Sequence, residues 1–119
     1  MTVTSPRLAP AALKAMLHDG GELALLDVRE EGVFGQNHLL LAVNLPLSRL
    51  EFRLDALVPR RRARVVLCDG GDGLAERAAA RLAGFGYHSV AILEGGIAGW
   101  KAAGYELFSG VFVPSKAIG

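Results

Sequence analysis

The chain has 119 residues, 51% of them hydrophobic, which is enough for one domain with one core and too short for two ordinary domains. Its 13 basic and 12 acidic residues leave a net charge of +1, so no general attraction to nucleic acid or to a membrane surface is expected. Glycine, proline or charged residues interrupt every apolar run before the roughly 18 residues of a membrane span. The composition therefore predicts a single soluble domain.

The start of the chain and its cysteine content bear on the cellular compartment. Residues 1–6 lack the basic and apolar segments of a secretory signal. Cys68 is the single cysteine and cannot form a disulfide within the chain. Both features favour a cytoplasmic location.

Helix and strand patterns alternate along the first half of the chain. Pro10–Leu17 has helical composition with proline in the first turn, and a glycine pair follows it. Residues 23–28 are a short apolar run typical of a strand buried on both faces of a parallel sheet. Ser48 and Glu51 have the spacing of a capping box, which predicts a helix from this point to Pro59.

The alternation continues in the second half. Arg64–Cys68 is predicted as a buried strand, residues 75–83 as a helix, 89–93 as a strand and 97–103 as a short helix capped by Gly104. The apolar stripe of the longer helix consists of Ala75, Ala78, Ala79, Leu82 and Ala83. Strands alternating with helices predict an α/β domain with a mainly parallel sheet.

A local excess of positive charge follows Pro59, where Arg60, Arg61, Arg62 and Arg64 stand close together. A run of this kind is usually a solvated connecting loop, and we favour that interpretation. The alternative is a patch that binds an anion or a partner protein.

The segment most suggestive of chemistry joins the strand ending at Cys68 to the helix at Ala75. It consists of Asp69, Gly70, Gly71, Asp72, Gly73 and Leu74. A glycine-rich turn that opens a helix gathers free backbone N–H groups at the positive end of the helix dipole, which suits an anion. The segment lacks the residues of a phosphate-binding P-loop, a dinucleotide fingerprint or an EF-hand. Taken alone, it could equally be a surface turn with aspartate as the helix N-cap.

This loop lies within a wider pattern. The motif Leu-Leu-Asp-Val-Arg ends at Arg29 and precedes Glu30 and Phe34, His38 opens His-Leu-x-x-Ala-Val-Asn-x-Pro, and Glu-Gly-Gly-Ile-x-x-Trp ends at Trp100. In this order the motifs resemble the rhodanese homology family over about residues 8–107. The resemblance implies a three-layer fold with a mainly parallel five-stranded sheet flanked by helices. It also implies a domain over residues 1–107 and a tail or linker over 108–119.

Two residues depart from the family pattern. Asn37 and Leu41 stand where the family usually has glycine beside the motif that begins at His38. These departures concern the geometry of the local turn and leave the fold prediction unchanged.

The resemblance also implies a site. Catalytic members of the family carry a cysteine at the first position of a six-residue loop, and its thiolate takes sulfane sulfur from thiosulfate as a persulfide. Counting back from Ala78 and from Tyr87 places Asp69 at that position, with Cys68 one residue early. The arginine common near the loop end is replaced by Leu74 or its neighbour.

These replacements argue against sulfur transfer. A carboxylate forms no stable persulfide, and Asp69 would place its own negative charge among the loop amides. Asp72 adds a charge on the rim, which would disfavour an anionic substrate by about 1 kcal/mol or less. We expect the Asp69 carboxylate to face loop amides and the Cys68 sulfur to be buried.

Two enzymatic alternatives involve the same pair of residues. Cys68 could be the nucleophile of a seven-residue loop, a length similar to that of related phosphatases, although these also need a loop arginine that this sequence lacks. We favour Cys68 as a small core residue. Asp69 as a phosphoryl acceptor is remote, because the supporting second carboxylate and lysine are absent.

The other polar and aromatic candidates have structural interpretations. Asp27 and Arg29, at a strand end, are predicted to form a supporting ion pair or cap rather than to react. The three histidines lack metal-ligand spacing, so neither a metal nor another cofactor is expected. Trp100 is predicted to anchor the core.

The resemblance as a whole suggests the N-terminal, inactive domain of a tandem sulfurtransferase. Its role would be regulation or interaction, with a sister rhodanese domain or a sulfur-carrier protein as partner and with neither nucleic acid nor membrane involved. The alternative is an active sulfurtransferase that carries a persulfide on Cys68.

Overall fold

The computed structural model describes residues 5–39 and 41–108 of the chain. Its strands are β1 (Arg7–Leu8), β2 (Leu23–Asp27), β3 (Val43–Asn44), β4 (Arg64–Cys68) and β5 (Val90–Leu93). Its helices are α1 (Pro10–Leu17), α2 (Glu31–Gln36), α3 (Leu50–Leu57), α4 (Leu74–Gly84) and α5 (Gly96–Ala102), with a 3-10 turn at Leu47–Arg49. The sheet order is β1-β5-β4-β2-β3, and all neighbouring strands run parallel.

The central strand β4 contributes side chains to two separate cores. Because side chains alternate along a strand, Val65 and Leu67 pack on the face covered by α3 and α4, whereas Val66 and Cys68 pack on the face covered by α1 and α5. The strand is buried on both faces, as its unbroken apolar sequence predicts. The α/β fold with a parallel five-stranded sheet between helices is therefore confirmed.

The element bounds agree closely with the sequence patterns. Pro10–Leu17 and Arg64–Cys68 form the predicted helix and strand without change. The other predicted strands and the two later helices shift by a residue or two at their ends. Ala83 is exposed, so the apolar stripe of α4 ends at Leu82.

The predicted capping box is wrong. Ser48 lies in the 3-10 turn that precedes α3, and Arg49 occupies the N-cap position. The Ser48 hydroxyl donates instead to Glu30 at 2.9 Å, and Glu51 pairs with Arg81 at 3.6 Å. The Pro46 carbonyl accepts the Arg49 N–H at 2.9 Å, which closes a 3-10 turn before α3 starts and keeps Ser48 out of the N-cap position.

The arginine-rich segment connects α3 to β4, and ion pairs neutralise much of its charge. The pairs are Arg60–Glu22, Arg61–Asp55 and Arg64–Asp19, with N–O distances of 3.2, 2.9 and 2.8 Å. The Arg64 hydrogen bond lowers the pKa of Asp19 to about 2. The pairs favour the connecting-loop interpretation over an anion-binding patch.

The last described residues fasten the chain to the domain. Phe108 exchanges two backbone hydrogen bonds with His38, at 2.7 and 2.8 Å, in an isolated antiparallel bridge. Phe108, assigned to the tail by the sequence, is thus bonded to the domain, and residues 109–119 lie outside the described residues. No helix within the described ranges is long and apolar enough to cross a membrane.

Shortening a buried side chain of β4 should destabilise the fold. We expect Leu67→Ala, at a side chain with no exposure, to lower the free energy of unfolding by about 2–5 kcal/mol through lost burial and a residual cavity. Phe52→Ala, at a side chain 86% exposed on α3, is the matched control and should change it by about 0.5 kcal/mol or less. Urea unfolding curves measure both, and equal losses would contradict the assignment of β4 to the core.

Candidate functional site

The candidate site lies at the carboxyl end of β4, where parallel α/β sheets commonly bind ligands. The chain leaves β4 at Cys68 and enters α4 at Leu74. Gly71 and Gly73 turn it with φ angles of 88° and 87°, in the left-handed region that favours glycine. The glycine-rich sequence therefore produces the sharp turn expected between strand and helix.

The Asp69 side chain occupies the interior of this turn. Its Oδ1 atom accepts the Gly71 N–H at 2.8 Å, and its Oδ2 atom accepts the Ala75 N–H, also at 2.8 Å. The residue is only 6% exposed. The expectation that this carboxylate faces loop amides is confirmed. The loop N–H groups that surround the carboxylate are called the cradle below. Such groups bind anions, and in this chain the Asp69 side chain is the anion.

A second loop holds the main chain of Asp69. The Ile97 N–H, in the first turn of α5, donates to the Asp69 carbonyl oxygen at 2.9 Å. Gly96 lies so close that a Cβ atom built on it would stand 2.4 Å from the same oxygen. The Glu-Gly-Gly-Ile motif marked the family in the sequence, and its contact with the site became apparent only in three dimensions.

Cys68 lies behind the cradle rather than in it. The residue has no solvent exposure and packs with Leu25, Val66 and Trp100 on the α1/α5 face of the sheet. Burial raises the pKa of its thiol well above the usual value, and the nearby negative charge of Asp27 adds to the effect. The sulfur is buried as predicted, in surroundings that disfavour the reactive thiolate. Trp100, in the same cluster, is a core residue as predicted.

A buried ion pair terminates the neighbouring strand β2. The Arg29 Nη2 and Nε atoms donate to Asp27 carboxylate oxygens at 2.7 and 2.9 Å, and both residues are buried. Burial opposes the charged guanidinium, but the hydrogen bond to Asp27 and the nearby negative charges together outweigh that penalty and raise the pKa of Arg29. The ion pair expected from the sequence is present, and it links the end of β2 to the residues that follow it.

Two asparagines complete this support, and sequence reasoning gave neither of them that role. Asn37 accepts hydrogen bonds from Arg29 through both its side-chain and its backbone oxygen. Asn44 Nδ2 donates to the carbonyls of Asp27 and Arg29, at 3.1 and 2.8 Å. A Cβ atom on Gly70 would lie 3.7 Å from Arg29 Cδ, so the supported arginine borders the loop.

The mouth of the site carries an excess of negative charge. A cleft of about 220 Å³ opens beside Asp69 and is also lined by Glu76, Glu94 and Arg7, with Arg7 paired to Glu76. Asp72 is exposed on the loop itself and accepts the Leu74 N–H at 3.3 Å. This arrangement opposes the approach of an anion, although salt would weaken the effect at these exposed groups.

The three histidines differ in burial. His38 is buried and stacks on Phe34 with ring centroids 4.2 Å apart, whereas His18 and His88 lie on the surface. Among residues 5–39 and 41–108, no group of three or more His, Cys, Asp or Glu side chains is placed to hold a metal ion.

Comparison with known proteins identifies the class. The sequence model of the rhodanese-like domain matches residues 9–103, most of the chain, so the chain belongs to the rhodanese-like family. A search of curated proteins gave no match.

Solved structures show the same fold. The crystal structure of thiosulfate sulfurtransferase from Pseudomonas aeruginosa is similar over 95% of this chain, with 52% identity and a TM-score of 0.89, but the match spans only 22% of that longer chain. A rhodanese-like domain from Anabaena is 25% identical over 88% of this chain and 80% of its own, with a TM-score of 0.79. The fold and family are therefore those of a rhodanese-like domain.

Separating the buried ion pair should destabilise the domain. We expect Arg29→Met to cost about 3–5 kcal/mol of unfolding free energy, because the Asp27 carboxylate would stay buried without its cation. The double variant with Asp27→Leu should lose less than the sum of the two single variants. Arg53→Met, at an exposed arginine of α3, is the control; chemical unfolding that gave it the same loss would refute a special role for the pair.

The Cys68 thiol should resist alkylation in the folded protein. With its pKa raised, it stays protonated as the pH climbs through the range in which an ordinary thiol ionises. At about pH 8 we expect iodoacetamide to label the native chain at least about 100-fold more slowly than the urea-unfolded chain, since labelling requires both opening and ionisation. Mass spectrometry follows the adduct, and similar rates in the two states would show that the sulfur is accessible.

Proposed function

We propose that this rhodanese-family domain is catalytically silent and acts as a regulatory or interaction module. The observation that carries the proposal is the pair of hydrogen bonds that the Asp69 carboxylate accepts from Gly71 and Ala75. Those amides are the donors that a persulfide or a bound anion would use at this position. In this chain they are already satisfied.

The chemistry of the carboxylate supports the proposal. Transfer from thiosulfate requires a polarizable thiolate that attacks the outer sulfur, forms a sulfur–sulfur bond and releases sulfite. An Asp69 oxygen attacking there would form a weak sulfur–oxygen bond with no stable product. The acidic cleft beside it also disfavours thiosulfate, which is an anion.

The position of Cys68 supports the same proposal. Reaching the cradle would require the thiol to leave a fully buried site between the sheet and α5. The Cys68 carbonyl accepts the Val28 N–H at 3.0 Å, and the residue pairs with Asp27 at the end of β2, so its main chain is held as well. A persulfide on Cys68 would therefore need the strand end to open.

We further propose that the domain works inside a longer polypeptide, as the N-terminal inactive domain of a cytoplasmic tandem sulfurtransferase. The length of the Pseudomonas protein supports this, because the present chain corresponds to 22% of it. The partner would be a sister rhodanese domain or a sulfur-carrier protein, with no role for nucleic acid or membrane.

Catalytic silence is tested with the native chain and two variants, Cys68→Ser and Asp69→Cys. Each is incubated with thiosulfate and cyanide, and the thiocyanate formed is measured. We expect no activity above background from the native chain or from Cys68→Ser. Asp69→Cys should give weak activity. The variant places a thiol among the loop amides, but the acidic residues around the cleft remain and oppose the binding of thiosulfate. Circular dichroism must first show that all three are folded, since removing the carboxylate should cost about 1–3 kcal/mol.

The opposite pattern would favour an enzyme. Native activity that disappears in Cys68→Ser would establish a persulfide on Cys68 and overturn the proposal. A folded Asp69→Cys chain that gains no activity and no cyanide-labile sulfur would show that the loop is not a sulfur cradle.

A further inference from the structure

We propose that the surface beside the edge strand β3, formed by Leu41, Val43 and Phe108, docks the domain that follows this one in the parent polypeptide. The inference rests on the proposed placement of the domain in a longer chain, and it adds the surface that makes the contact. These three residues are called the apolar edge below. They lie apart from Asp69 and its loop.

The apolar edge exposes large side chains. Leu41 is 60% exposed, Val43 is 44% exposed and Phe108 is 37% exposed. Burying such side chains in a contact would release water from apolar surface, whereas leaving several of them adjacent in solvent is uncommon for an isolated domain.

Two clefts meet at Leu41. One, of about 230 Å³, runs from Leu41 and Val43 past Leu23 and Leu57, and Glu22 and Arg60 lie on its rim. The other cleft, of about 220 Å³, runs from Leu41 to Phe108. Its apolar wall consists of Leu17, Leu39 and Trp100, and its polar residues are Lys14, His18 and Glu106.

Both clefts therefore combine apolar walls with charged residues at their borders. An apolar centre inside a charged rim is the usual anatomy of a protein–protein contact.

The sheet also ends at a strand that has a strand neighbour on one side only among the described residues. β3 is the last strand of the sheet order, and no other strand within the described residues covers its outer side. It is short, and neither of its two residues, Val43 and Asn44, carries the lysine or proline that protects many edge strands from association. This edge can accept a neighbour through both backbone and apolar contacts.

The course of the chain indicates which neighbour. Phe108, the last residue that the structure describes, is bonded to the backbone of His38 and lines the second cleft, so the described part of the chain ends at the apolar edge. A domain attached there would be held near this surface at a high effective concentration, which favours the tethered domain over a second copy from solution. The similar Pseudomonas chain, of which this domain covers 22%, shows that such a domain occurs within much longer proteins.

A chimera provides the test. This chain replaces the matching part of Pseudomonas aeruginosa thiosulfate sulfurtransferase, and hydrogen exchange by mass spectrometry compares residues 41–47 in the chimera and in the isolated chain. We expect exchange at least about 10-fold slower in the chimera. Leu41→Glu should abolish that protection and leave the isolated chain folded.

The control is Phe52→Glu, at a more exposed aromatic side chain on α3 that lines neither cleft. It should leave the protection unchanged. Equal exchange in the chimera and the isolated chain, or equal loss in both variants, would overturn the proposal.

Sedimentation of the isolated chain provides the remaining outcome. A dimer that Leu41→Glu dissociates would assign the surface to a second copy and reject the following domain as its occupant. None of these measurements depends on sulfur chemistry. Sulfurtransferase activity in the native chain would therefore contradict only the proposed catalytic silence. Equal hydrogen exchange in the chimera and in the isolated chain would contradict only the docking proposal.

Discussion

The carboxyl end of the sheet is organised around Asp69, which accepts hydrogen bonds from three separate segments of the chain. Its side chain holds the loop at Gly71 and the first turn of α4 at Ala75, and its carbonyl holds α5 at Ile97. The Ala75 and Ile97 N–H groups lie in the first turns of α4 and α5, where backbone N–H groups lack an intrahelical partner, whereas the Gly71 N–H belongs to the loop. The residue that the sequence predicts at the family's catalytic position thus joins a strand to the two helices that flank it.

The same device recurs on the neighbouring strand. At the end of β2, Asp27 Oδ1 accepts the Arg29 N–H two residues later at 3.1 Å, just as Asp69 accepts the Gly71 N–H. In both cases an aspartate side chain mimics a backbone turn and ends a parallel strand. The two turns differ in what neutralises the carboxylate: Asp27 has the Arg29 guanidinium, whereas Asp69 relies on backbone dipoles and a helix N-terminus.

The sequence was informative where the signal is local or repeated. The buried strand ending at Cys68 and the helix beginning beside Leu74 follow from apolar runs and glycines, whereas the position of Asp69 in the loop was implied by the resemblance to the family. The strands β1 and β3 were missed because each has only two residues, too few to form a pattern. Ser48 matched a capping motif, but the turn set by Pro46 decided its position. The roles of Asn37 and Asn44 depend on contacts with residues 8 to 17 positions away, which no local rule predicts.

Gly96 has a consequence for how relatives of this domain should be compared. Its α-carbon faces the Asp69 carbonyl so closely that any side chain would displace the main chain at the first position of the loop, whichever residue stands there. The shape of the cradle therefore depends on Gly96, a residue that has no side chain and takes no part in chemistry. We therefore expect a relative that has lost the nucleophile but kept this glycine to retain the shape of the loop, and a relative that has lost the glycine to have altered it.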